Sequence, residues 1–270
     1  MMQATNHPFA LFYNNYINKI PGWFSKLDAT IFDIILDYQL KNRSLNNILE
    51  IGVWEGKSAA LLAVYASRSK NNFIMIDPNP KEMEILSKVI YSLSWEKDQC
   101  IFLKAKSGDV SEELASRYAN KYSFIHVDGD HSYGALASDL ELAKILIKQD
   151  GIICIDDFFN PGYPQITACC FSFLAENPDY SIILITRNKC YICHKQSRDI
   201  YLKILKNIIE LTSNRGIDCI LSQTNINEIR WEPIYTITEF NYHKEWSKGA
   251  KQRGPDQFQD RSPFDTDQPD

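Results

Sequence analysis

The spacing of apolar positions changes period several times along the chain. Phe24, Leu27, Ile31, Phe32, Ile34, Ile35 and Tyr38 recur at near-helical intervals, with Ser25 and Asp28 at N-cap and N3 spacing; this predicts an amphipathic helix packed on something larger. From residue 46 onward, short β-branched runs alternate with helical patterns. NILEIG, FIMIDP, CIFLKA, SFIHVDG and GIICIDDF read as strands, and the segments GKSAALLAVYASR, KEMEILSKVIYSL, SEELASRYAN and YGALASDLELAKILIK between them read as helices. Such a rhythm predicts parallel strands joined by right-handed crossovers, and hence an α/β, doubly wound, mostly parallel sheet with helices on both faces.

After the fifth strand the rhythm changes. A helix-like QITACCFSFLAEN precedes YSIILIT and CYICHK, two β runs separated by a short polar turn, which read as an antiparallel edge hairpin and bring the strand total to seven. SRDIYLKILKNIIELTSN is again amphipathic and helical, and 217–242 reads as a β-containing appendage. The last segment, KGAKQRGPDQFQDRSPFDTDQPD, has almost no apolar content and reads as a disordered tail. The chain therefore divides into an N-terminal helical segment (1–45), a main domain (46–200), a C-terminal helix with its appendage (201–245) and the tail (246–270).

Composition narrows the partners. With 44% hydrophobic and 23% charged residues, 270 positions can build one α/β domain with peripheral elements. A net charge of −5 supplies no bulk positive field for nucleic acid or an anionic membrane, so a small-molecule partner is the better expectation; self-association is left open. No run approaches the ~18 apolar residues of a membrane span, and the N-terminal stretch lacks a basic head and a cleavage site, which points to the cytoplasm. Seven cysteines, an odd number, sit largely in apolar runs and read as reduced. The single C-x-x-C, at 190–193, lies in a β run where its two cysteines point to opposite faces, and no second pair follows at zinc spacing.

Open α/β sheets bind ligands at the C-terminal ends of their strands. The first strand ends in Glu50-Ile51-Gly52-Val53-Trp54-Glu55-Gly56-Lys57-Ser58. Gly52 permits a sharp turn and Gly56 a close approach of the next helix, but G-x-x-x-G is not the G-x-G-x-x-G that cradles a pyrophosphate. A carboxylate at the mouth of this turn suits a cationic ligand with an amino-acid end, such as S-adenosylmethionine. Asp77, at the end of the second strand, is placed to accept both hydroxyls of a ribose. Taken alone, Asp77 reads more readily as a turn residue and Glu50 as a surface charge; their joint placement at adjacent strand ends reverses this in favour of the binding role. Glu50, Gly52, Gly56, Ser58 and Asp77 are thus candidate cofactor-binding residues.

A second set closes the fourth and fifth strands: Asp128, Asp130 and His131 in HVDGDHSY, and Asp156 and Asp157 in CIDDFFNPGYP. On neighbouring strands these carboxylates converge, and an all-oxygen set suits Mg²⁺ or Mn²⁺. A divalent ion there could acidify a substrate hydroxyl, and His131 stands within reach of that proton. The alternative is that Asp130 and Asp157 cap turns and His131 is structural; Ser132 competes for the helix-cap role.

These residues carry a family resemblance. LEIGVWEGKSA together with FIHVDGDHSYGALASDLELA and DGIICIDDF resembles class I S-adenosylmethionine-dependent methyltransferases, in particular the catechol-methyltransferase-like group that includes macrolide-sugar O-methyltransferases and cephalosporin-hydroxylase-type proteins. The resemblance spans roughly residues 20–200 and implies a Rossmann-like S-adenosylmethionine-binding domain. It also implies metal ligation by Asp128, Asp156 and Asp157, with Asp128 serving cofactor and catalysis as well, and an adenine contact from Ser107 in KAKSGD. The FFNPGYPQIT stretch is longer and more proline-rich than a minimal metal-site turn, and reads as a specificity loop carrying Tyr163. The expected activity is O-methylation of a small-molecule hydroxyl, on a sugar or a secondary-metabolite intermediate. Two alternatives keep the fold: an NAD-dependent dehydrogenase, against which the absent third glycine and Glu50 speak, and a non-catalytic binding protein, which has no need of converging carboxylates.

Overall fold

The computed structural model describes residues 7–79, 83–95, 99–223 and 232–240. Two helices, α1 (Pro8–Asn15) and α2 (Lys26–Lys41), precede the sheet. Strands and helices then alternate as β1 (Asn47–Ile51), α3 (Lys57–Ser69), β2 (Phe73–Ile76), α4 (Glu84–Ser92), β3 (Cys100–Leu103), α5 (Ser107–Tyr118), β4 (Tyr122–Val127), α6 (Tyr133–Leu146) and β5 (Ile147–Ile155). Helix α7 (Pro164–Glu176) leads into the hairpin β6 (Tyr180–Ile185) and β7 (Cys190–His194), followed by α8 (Arg198–Leu205), α9 (Ile208–Ser213), β8 (Cys219–Gln223) and β9 (Tyr235–Glu239).

The expected seven strands run in the order 3-2-1-4-5-7-6, parallel from β3 to β5 and antiparallel on both sides of β7. Two more strands extend the sheet: β9 pairs in parallel with β6, and β8 with β9 in reverse. The described part of the expected appendage is therefore integral to the sheet, while 224–231 and the expected tail lie outside the described residues. The 198–213 helical segment is split in two, with Lys206 and Asn207 between α8 and α9. Helix α5 begins at Ser107, ahead of the expected SEELASRYAN, so the end of KAKSGD is its first turn.

Side-chain alternation divides the core between the two sheet faces. On β1, Ile48 packs with α2 and α3 residues such as Phe32 and Leu62, while Leu49 and Ile51 pack with α6 and α7 residues such as Leu140 and Ile166. Cys190 and Cys193 follow the same rule, one in each core. The N-terminal helix α2 begins as expected, with Ser25 Oγ accepting from the Asp28 amide at 3.0 Å and donating to Asp28 Oδ2 at 2.6 Å. The other Asp28 oxygen accepts from Thr186 Oγ in the β6–β7 turn at 2.7 Å, which pins that turn to the start of α2.

Strand order reverses between β1 and β4, and the cleft opens above their C-terminal ends. Gly52 makes this junction: its φ is +83°, and a Cβ there would lie 1.8 Å from the Asp128 carbonyl oxygen. Gly56, at φ +81°, approaches Leu86 of α4 rather than the strand, with a Cβ falling 2.3 Å from Leu86 Cδ2. Gly52→Ala is expected to lower stability by at least ~1–3 kcal/mol, the usual cost of such strain, because the obstructing atom is backbone. Urea denaturation checks this; a midpoint equal to wild type would contradict the packing of β1 on the β4 turn.

Candidate active site

A cleft of about 840 Å³ runs over the C-terminal ends of β1, β2, β4 and β5. One half is built from the β1–α3 turn, with Gly52, Val53, Trp54 and Ser58, and from Asp77, Asn79 and Ser107. Asp77 fastens this half: its Oδ2 accepts from the Val53 and Trp54 amides, both at 2.9 Å, and its Oδ1 from the Asn79 amide at 2.8 Å. Trp54 adopts a left-handed backbone, φ +51°, which these two amide contacts hold in place. Ser107 donates from Oγ to Asp139 Oδ1, and burial pushes the Asp139 carboxyl up to about 6.

Glu50 corrects the expectation of a direct ligand contact. It is 0% exposed and does not line the cleft. Its Oε1 accepts from Ser58 Oγ at 2.5 Å and lies 2.8 Å from His126 Nδ1, its cross-strand neighbour on β4. Its Oε2 is buried without a hydrogen-bond partner, and burial raises the carboxyl to about 8. The reason is register: Glu50 follows the Ile48 face of β1, beneath the turn it was expected to serve.

The other half holds the acids. His131 Nε2 lies 2.8 Å from Asp157 Oδ2 and 4.0 Å from Asp128 Oδ1. Its hydrogen bond to Asp157 raises the imidazole above its ordinary range, and the same contact holds Asp157 below the carboxylate range. Burial and the neighbouring Asp156 push Asp128 well up. Tyr163, on the expected specificity loop, stacks on His131 with ring centroids 4.2 Å apart. Asp130 instead accepts from the Ser132 amide at 2.7 Å, and Ser132 caps α6, so Asp130 serves the turn.

Sequence reasoning missed His126 and Lys189. The Lys189 ammonium donates to Asp156 Oδ2 and sits 3.1 Å from His126 Nε2. Burial pushes Asp156 up, but the ammonium overrides it and leaves the carboxyl below its ordinary range. Burial, with that ammonium beside it, keeps His126 neutral. The missed signal was topological. Because β7 runs antiparallel, Cys190 pairs with Ile155, so the residue before β7 must sit beside the one after β5.

Donor atoms of Asp128, His131 and Asp157 lie within 4.8 Å of one another, as do those of His126, Asp128 and Asp156. The carboxylates fit an oxygen-preferring dication. His126 fits less well, since Glu50 engages one ring nitrogen and Lys189 the other.

Residues 49–158 match the family model described as a methyltransferase domain. No curated protein sequence matches the chain. Among solved structures, the O-methyltransferase from Bacillus cereus in complex with SAH aligns at 18% identity and TM-score 0.50, over 69% of this chain and 89% of that one. A protein from Corynebacterium glutamicum aligns at 12% and 0.52, over 70% and 90%. MycE methyltransferase of the mycinamycin pathway, in complex with Mg, SAH and mycinamycin VI, aligns at 13% and 0.50, over 71% of this chain and 55% of that one. At these identities the likeness is one of fold. Sheet order, cleft position and the matched segment together define a class I methyltransferase fold around residues 49–158.

The buried Glu50 carboxyl makes a pH signature. Between about pH 5 and 8 the unfolded chain's carboxyl ionises while the folded one stays protonated, so this group withdraws stability as pH rises until the folded carboxyl titrates at about 8. Glu50→Gln is expected to flatten that decline, gaining on wild type by about 1–3 kcal/mol across the window. Parallel stability curves for the two proteins, from denaturation at several pH values, would contradict it.

Proposed function

We infer that the chain transfers a methyl group from S-adenosylmethionine to a hydroxyl oxygen of a small molecule, a sugar or another secondary-metabolite intermediate. The observation that carries this reading is one cleft joining two halves: the glycine turn fastened by Asp77, and His131 set beside the Asp128 and Asp157 carboxylates. The family match over 49–158 supports methyl transfer, and the presence of Mg and SAH in the MycE structure supports an ion assisting it.

In this reading Gly52, Ser58, Asp77 and Ser107 line the cofactor half, with Glu50 acting from below by holding Ser58. Bound there, the cofactor supplies an electrophilic methyl; a divalent ion held by Asp128, Asp156 and Asp157 supplies a Lewis acid for the acceptor oxygen. The chain's own residues manage the proton. His131 takes it from the acceptor hydroxyl at the ring nitrogen not facing Asp157, while Asp157, 2.8 Å from Nε2, stabilises the resulting imidazolium. The acceptor oxygen, relieved of its proton, would then be free to receive the methyl that the bound cofactor would supply, the sulfonium's electron pair staying on the sulfur. Tyr163 holds the imidazole ring in position. Trp23, 86% exposed, faces Trp54 with ring centroids 6.5 Å apart, giving the mouth aromatic surface for an acceptor ring.

Isothermal titration is expected to give one S-adenosylhomocysteine per chain and no binding of NAD. Absence of S-adenosylhomocysteine binding would remove the methyltransferase reading, and NAD binding would favour a dehydrogenase. With an acceptor in hand, chelator is expected to abolish transfer while sparing cofactor binding. His131→Ala is expected to cost ~100-fold or more in kcat, a loss that shrinks at high pH, where solvent takes the proton. Since Asp157 raises His131, the wild-type rate should climb with pH through a limb above the ordinary imidazole range. Full activity in excess chelator would reject the ion's role.

A further inference from the structure

Lys189 has no part in the methyl-transfer scheme, yet it is among the most constrained side chains described. It is 1% exposed, and its ammonium contacts Asp156 and His126 while facing the Phe24 and Phe32 rings at 5.4 and 5.7 Å. Its backbone is equally fixed. The Lys189 amide donates to Thr186 Oγ at 3.1 Å, and Thr186 in turn donates to Asp28 at the start of α2. An ammonium so enclosed cannot swing into solvent when another cation arrives.

That position has a chemical consequence for the acids above it. Asp156 shares the cleft with Asp128 and Asp157, and one of its oxygens is already committed to a positive charge. Two cations on one carboxylate repel, and they do so more strongly in a partly desolvated site than in water. We propose that Lys189 is a resident cation of the carboxylate set: it orients and neutralises Asp156, so that an incoming divalent ion relies mainly on Asp128 and Asp157 and is held weakly and exchangeably. A lysine that merely filled space would have the opposite signature, because its loss would loosen the site and weaken ion binding. The inference rests on the methyltransferase reading, and its test separates the two.

Titration of the full-length protein with Mn²⁺ reads the inference directly. Lys189→Met is expected to tighten Mn²⁺ binding at least tenfold. Lys189→Gln, which keeps a donor for Asp156 and His126 and so protects folding should the Met variant fail, is expected to tighten it likewise. Lys189→Arg, which keeps the charge, should remain near wild type. Unchanged or weaker Mn²⁺ affinity in the folded Gln variant would overturn the proposal, as would no Mn²⁺ binding by wild type and variants alike. S-adenosylhomocysteine titrated into the same samples distinguishes the failures. If it binds throughout while Mn²⁺ affinity stays flat, only the role of Lys189 falls; if wild type does not bind it, the methyltransferase reading falls and carries this inference with it.

Discussion

The buried Lys189–Asp156 ion pair is the constraint around which the site is arranged. Removing the carboxylate of such a pair costs ~3–5 kcal/mol, since the buried Lys189 ammonium is left charged in a low-dielectric interior. The pair continues through His126 to Glu50 and Ser58, so a single polar line ties β5, the β6–β7 turn, β4, β1 and α3 beneath the cleft floor. Thr186 and Asp28 extend it to α2. The acids around His131 and the glycine turn are thereby fixed to one another from beneath the cleft.

Above this line the two halves of the cleft are shaped differently. The glycine-turn half is shaped by backbone, with the Val53 and Trp54 amides drawn to Asp77 and glycine at 52 and 56, where a side chain would strike a neighbour. The half around His131 is shaped by side chains whose protonation states are set against one another: Asp157 lowered and His131 raised by their mutual contact, Asp128 raised by burial and Asp156. Groups pushed apart in this way are what proton transfer near neutral pH requires.

Much of this was legible in the sequence, for physical reasons. Strands and crossover helices announce themselves by period, and Ser25 and Ser132 cap α2 and α6 as their spacing suggested. Asp128 lies near Asp156 on one side and near His131 and Asp157 on the other because β4 and β5 are neighbouring parallel strands, an adjacency the rhythm implies. Glu50 was misjudged because alternation on β1 and register against His126 decide its direction, and neither can be read from a turn motif. Lys189 was invisible because its position depends on β7 running antiparallel to β5, a pairing of residues far apart in the chain. Strands β8 and β9 were read only as an appendage, since their place in the sheet rests on pairing with β6.

The central claim is that the glycine-turn half of the cleft is a site for S-adenosylmethionine, rigidly coupled to the acids beside it. Hydrogen–deuterium exchange with and without S-adenosylhomocysteine tests this most directly. Protection is expected in the peptides spanning residues 51–58, 77–79 and 105–108, with a smaller effect at 126–131. Unchanged exchange across these segments, or protection confined to another surface, would contradict it.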